Sequence, residues 1–80
     1  MINDTNEAFA EGLKMLMAER GISYRKLSRA TGIPVSSLHG YAHCNNSISL
    51  PAAKLISTYF RIDIDRMIEY GNSLQKKIAQ

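Results

Sequence analysis

The 80-residue sequence predicts an all-α fold of five helices. Three observations carry that reading. Apolar residues recur at helical spacing, most clearly Phe9, Leu13, Leu16 and Met17, which form one stripe. Capping and breaking residues divide the chain into helix-length pieces at Gly21, at Thr31-Gly32-Ile33-Pro34 and around Ser49. Finally, no stretch alternates apolar and polar residues as a strand does, and there is no internal repeat or low-complexity run.

Taken in order, helix 1 is expected to start near Asp4 to Asn6, with Glu7 favouring the positive end of the helix dipole, and to stop at Gly21. Helix 2 covers about 23–31. Ser23 is its N-cap, and Leu27 and Ala30 lie on one side. Gly32 can adopt the left-handed conformation that closes a helix, and Pro34 keeps Ile33 out of the helical region. Pro34 also suits the first position of helix 3, which covers about 34–43 with Leu38, Tyr41 and Ala42 inward. His43 to Ser49 reads as a loop of Asn and Ser character. Ser49 caps helix 4, whose inward positions are Leu50, Ala53, Ile56 and Phe60. Asp63 caps helix 5, and Ile62 before it staples onto Met67. Gly71-Asn72 is expected to close helix 5. Residues 1–71 then form one domain, and 72–80 a tail with Leu74 and Ile78 at helical spacing.

Composition narrows the classes. Eighty residues with 45% hydrophobic content suffice for one small core. A single cysteine excludes an intramolecular disulfide and fits a reducing cytoplasm, the expected location. The start MINDTNEAF lacks the basic and apolar regions of a signal peptide, and no apolar run approaches the ~20 residues that span a bilayer. The net charge of +3 favours a polyanionic partner mildly, and an ordinary basic domain equally. Its distribution says more. Arg20, Arg25, Lys26 and Arg29 cluster around the start of helix 2, whereas Thr31 to Ala53 contains no Asp, Glu, Lys or Arg. That stretch is polar without charge, as suits a surface that meets something other than bulk water.

Two short helices joined by a Gly-containing turn are the pattern of a helix-turn-helix unit. The segment from Phe9 to Met67, about three quarters of the chain, resembles the lambda-repressor-like, Cro or XRE-type, helix-turn-helix domains. The matching residues are Phe9, Leu13 and Leu16, Gly21-Ile22-Ser23, Leu27, Gly32-Ile33 and Ser36-Ser37-Leu38, then Ile56, Phe60, Ile62, Asp63, Ile64 and Met67. The spacing of the whole set carries the match. The resemblance implies a five-helix lambda-repressor-like domain whose helix 3 enters the DNA major groove. In relatives, the positions of Met17 and Ala42 often hold an Arg–Glu pair; here both are apolar, a joint replacement that costs a fold little. The loop position usually filled by Gly is Cys44, so a different backbone turn is expected there.

On helix 3, Val35, Ser36, His39, Gly40 and His43 share the arc opposite Leu38, Tyr41 and Ala42. Val35, Ser36, His39 and Gly40 are the expected base-reading residues, against the plainer alternative of a solvated face. Gly40 either lets DNA approach the backbone closely or is a tolerated weakness of about 1 kcal/mol. Phosphate contacts are expected from Ser23, Tyr24, Arg25, Lys26, Arg29, His43, Asn45 and Asn46. Arg25 and Lys26 sit in a first helical turn that disfavours cations, a penalty that a docked phosphate reverses, although freely solvated cations would also tolerate it. In the family the residue matching Tyr24 is often a phosphate-contacting Gln; Tyr24 has only its hydroxyl to offer.

His39, His43 and Cys44 lack further ligands nearby in sequence, so no metal is expected; nor is any cofactor or small-molecule ligand. No nucleophile or acid–base set points to an enzyme. Ile68, Tyr70, Leu74 and Ile78, with Leu55 and Tyr59 at the edge, supply apolar surface for a homodimer interface, unless the tail folds back on the core. The expected function is a sequence-specific double-stranded-DNA-binding transcriptional regulator, a repressor of phage or bacterial type. The alternative is a protein-interaction module of the same fold, an antitoxin or adaptor with little affinity for DNA.

Overall fold

A computed structural model describes the backbone of residues 5–79 and the side chains of residues 6–73. Its five helices are α1 (Thr5–Arg20), α2 (Tyr24–Thr31), α3 (Val35–Ala42), α4 (Leu50–Phe60) and α5 (Ile64–Ala79). No strand occurs among the described residues.

Local chemistry sets most of the boundaries. Ser23 and Ser49 are extended N-caps whose hydroxyls accept the N–H of Lys26 at 3.1 Å and of Ala52 at 3.3 Å. Gly32, at φ 81°, closes α2 with its N–H on the Ser28 carbonyl. The Thr31 hydroxyl donates to the Leu27 carbonyl at 2.8 Å and accepts the N–H of Ile33, so the turn is held from both sides. Pro34 differs from expectation by one place. With ψ at 146° it is the N-cap, and α3 begins at Val35. The chain needs all three residues 32–34 to change direction, because the residue before proline must also stay extended. Cys44 departs differently: at φ 59° it adopts the conformation usual for glycine, so the turn is kept, at a strain of about 1–2 kcal/mol.

The core gathers Phe9, Leu13, Leu16 and Met17 of α1 with Leu27, Ile33, Leu38 and Ala42, then Ala53, Ile56 and Phe60 of α4 and Met67 of α5. Met17 and Ala42 are 8% and 0% exposed, so both positions that often hold a charged pair in the resembling family lie in one apolar core. Asp63 precedes α5, its carbonyl accepts the N–H of Met67 at 3.0 Å, and Ile62 packs on the core. Ser57, the buried polar residue, donates from its hydroxyl to the Lys54 carbonyl at 3.1 Å.

Two inward assignments are corrected. Ala30 is exposed on α2, leaving Leu27 as its buried residue. Leu50 is 71% exposed, and Ala52 takes its place inside. Leu50 is the first residue of α4 and lines the rim of a cleft beside Asn6 and Phe9 of α1 without being covered.

The larger correction concerns Gly71. It does not end α5, which runs unbroken through Gly71 and Asn72 to Ala79. Gly71 is instead a point of backbone contact: a Cβ there would collide with the Ala8 carbonyl of α1, and one at Gly12 with the Met67 carbonyl of α5. These two glycines let the antiparallel α1 and α5 touch backbone to backbone. Residues 72–79 are therefore a continuation of the helix rather than a separate tail. Gly71→Ala is expected to destabilise the protein by about 3 kcal/mol, the upper part of the overpacking range, despite alanine's better helix propensity. Urea denaturation measures it; a stabilised variant would contradict the contact.

Candidate functional site

The exposed side of α2 and α3 is built from the turn outward. Ser23 accepts the Lys26 N–H with its hydroxyl and the Leu27 N–H with its carbonyl, and the side chains of Arg25 and Lys26 beside this cap are exposed. Arg25, Lys26 and Arg29 are all exposed, and none meets a carboxylate of a described residue at ion-pair distance. The first turn of α2 contains no acidic residue. Arg20 does not belong to this cluster. Its Nη1 donates to the Phe60 carbonyl at 3.0 Å and its guanidinium lies 5.6 Å from the Phe60 ring centre, so it satisfies the C-terminal end of α4.

On α3, Leu38 and Ala42 are buried, Tyr41 and Ser37 are half-buried, and Val35, Ser36, His39 and His43 are exposed on the opposite arc. The two imidazoles lie with ring centres 4.4 Å apart and planes tilted by 39°. His39 also lies 5.2 Å from the ring centre of Tyr24, the first residue of α2, at 55°. Tyr24 is half-buried and packs against the core. Among the described residues no three His, Cys, Asp or Glu side chains gather as a metal site would require.

Gly40 is corrected. It is buried, not part of the open arc, because the Asn46 side chain lies on it: a Cβ at Gly40 would meet Asn46 Nδ2. The Gly40 carbonyl accepts the N–H groups of Asn45 at 2.8 Å and Asn46 at 3.3 Å, which folds the loop back over the end of α3. The left-handed turn at Cys44 makes that reversal possible. At the other end of the loop, the Ile48 N–H donates to Asn6 Oδ1 at 3.0 Å and ties it to α1. The carboxamide that α3 lacks in its own sequence is thus brought to its exposed side by Asn46. Sequence reasoning placed Asn46 among general backbone contacts; the mid-helix glycine six residues earlier was the available signal.

Of the apolar residues expected to form an interface on α5, the side chains of Ile68 and Tyr70 are among those described. Tyr70 packs on the core and its hydroxyl donates to the Glu19 carboxylate, 3.3 Å from each oxygen. Tyr70 thus has a partner within the chain as well as an accessible edge. Ile68 is half-buried and lines a cleft of about 290 Å³ with Ile48, Leu50 and Ile64. The side chains of Leu74 and Ile78 lie outside the described residues. Among the described residues, the large apolar side chains most open to solvent are Leu50, Leu55 at 48% and Val35 at 43%.

Residues 12–71 match the family model described as the Cro/C1-type HTH DNA-binding domain. No curated protein and no solved structure matches the chain significantly.

Gly40→Ala is expected to leave thermal stability within about 1 kcal/mol, because the gain in helix propensity is offset by moving only the end of one flexible side chain. The same substitution should shift the Asn46 side-chain amide resonances. Unchanged resonances would mean that Asn46 does not rest on Gly40.

Proposed function

The chain belongs to the Cro/C1-type HTH DNA-binding domain family, and on that footing we propose that it is a sequence-specific, double-stranded-DNA-binding transcriptional regulator that represses as a homodimer. One arrangement supports the reading best: three exposed cations on α2 stand beside an exposed, charge-free arc on α3. Cations bind phosphates without regard to sequence, and uncharged donors, acceptors and methyl groups read base edges. In this reading Arg25, Lys26 and Arg29 hold the DNA backbone. Val35, Ser36, His39 and His43 face the groove with Asn46 beside them, and a carboxamide can make paired hydrogen bonds to adenine. Arg25→Ala with Lys26→Ala should weaken binding to all duplexes alike and flatten the salt dependence by about one to two units of slope. An unchanged slope would place the phosphate contacts elsewhere.

The rival reading, a protein-interaction module, draws on the absence of charge between Thr31 and Ala53. Titrating salt against random-sequence duplex separates the two, because an adaptor of proteins shows no binding to lose.

A single recognition helix spans only a few base pairs, and relatives of this kind read two half-sites about 34 Å apart through a two-fold dimer. The surface that best fits a second copy of the chain runs from α4 to the start of α5. It brings the exposed Leu50 together with Lys54 and Arg61 and with Asp63 and Asp65. A two-fold interface must be complementary to itself, and a patch carrying both signs beside an apolar residue meets that condition. Leu50→Glu should yield a folded monomer by sedimentation equilibrium that keeps weak binding to random duplex and loses preference for inverted repeats. A dimer that survives Leu50→Glu places the interface elsewhere.

A further inference from the structure

The rings of Tyr24, His39 and His43 form a ladder that starts in the core and ends on the exposed arc. Tyr24 is held by its packing on the core, His39 rests against Tyr24 at 5.2 Å, and His43 rests against His39 at 4.4 Å. These spacings are those of interacting aromatic pairs. An exposed histidine on a helix otherwise samples several rotamers, and any that does not face its target must be given up on binding. His39 has a wall on one side, supplied by a different helix, and a second ring on the other. The hydroxyl of Tyr24 is not needed for that arrangement; the ring is.

Building on the DNA-regulator reading above, we propose that Tyr24 is a positioning residue for base reading: its ring holds the His39 imidazole, and through it that of His43, in the orientation that faces the base edges. α2 then contributes to sequence discrimination and not to backbone anchoring alone. A Tyr24 that contacted phosphate through its hydroxyl would instead lose binding in Y24F as much as in Y24L, and on random duplex as much as on the selected one.

The full-length chain first selects a duplex from a random pool. Binding of Y24F, Y24L, H39A and Y24L/H39A is then measured on that duplex, on each of its single-base-pair variants and on random-sequence duplex. Leucine keeps the apolar packing that Tyr24 gives the core, and thermal unfolding verifies that each variant is folded. Y24F should bind the selected duplex within about twofold of the parent. Y24L should lose about two- to tenfold, the range of one aromatic ring pair, at the same base pairs that H39A affects. Random-duplex binding should be unchanged, and the double variant should bind no more weakly than H39A alone. In the DNA-free protein the ring-proton resonances of His39 and His43 should move in Y24L and stay in Y24F. The proposal is overturned if Y24F loses as much as Y24L on both duplexes, which assigns the hydroxyl to a phosphate. It is also overturned if the two losses add, or if the histidine resonances ignore Y24L. A parent chain that selects no duplex at all would instead sink the DNA-regulator reading, and this proposal with it.

Discussion

Two helix backbones can touch only where neither carries a side chain at the crossing, and Gly12 and Gly71 provide those two gaps between α1 and α5. The rest of the fold hangs from that contact. With α5 set close along α1, the stripe of Phe9, Leu13, Leu16 and Met17 is left to receive α2, α3 and α4, while Met67 is buried at the crossing itself. Arg20, from the last turn of α1, then reaches the end of α4 and satisfies the Phe60 carbonyl. One glycine on each helix thus sets how closely α5 packs against α1 beside that apolar stripe.

What was legible in the sequence was local. Ser23 and Ser49 cap the helices expected of them, Gly32 closes α2 in the left-handed conformation, and the α1 stripe is buried as its spacing requires. Each outcome depends on residues within a turn or two. The misreadings share a different cause. Gly71 reads as a terminator because nothing in the adjacent sequence reveals that Ala8 will press against it. Leu50 has the right helical phase to be inward, yet phase says nothing about where a layer stops. Gly40 looks open along its own helix and is covered by a residue from the following loop. A one-dimensional pattern encodes faces and ends; it does not encode which backbone arrives opposite a given residue.

The separation of charge between α2 and α3 has a physical logic. Stripping water from charged groups at a tight interface is costly, whereas hydroxyls, imidazoles and amides can exchange water for base-edge partners at smaller cost. On the DNA-regulator reading proposed above, placing the cations on the neighbouring helix leaves them at the solvated phosphate rim, where they attract DNA over several ångströms without being dehydrated. On that reading the surface that becomes dry carries no charge, and the surface that stays wet carries three.

The seat that Gly40 provides for Asn46 has a consequence for how such a protein changes under selection. One place on the exposed side of α3 can be filled from within the helix, by a side chain at position 40, or from outside it, by the amide at position 46, but not by both. Substitutions at these positions are therefore epistatic. A long residue introduced at 40 evicts Asn46 before it supplies any contact of its own, and its value depends on what position 46 has become. Neither route disturbs Leu38 or Ala42, which hold the helix in place from the other face. On the proposed reading, binding preference can thus drift through a loop residue while the fold beneath it is left under a separate selective pressure.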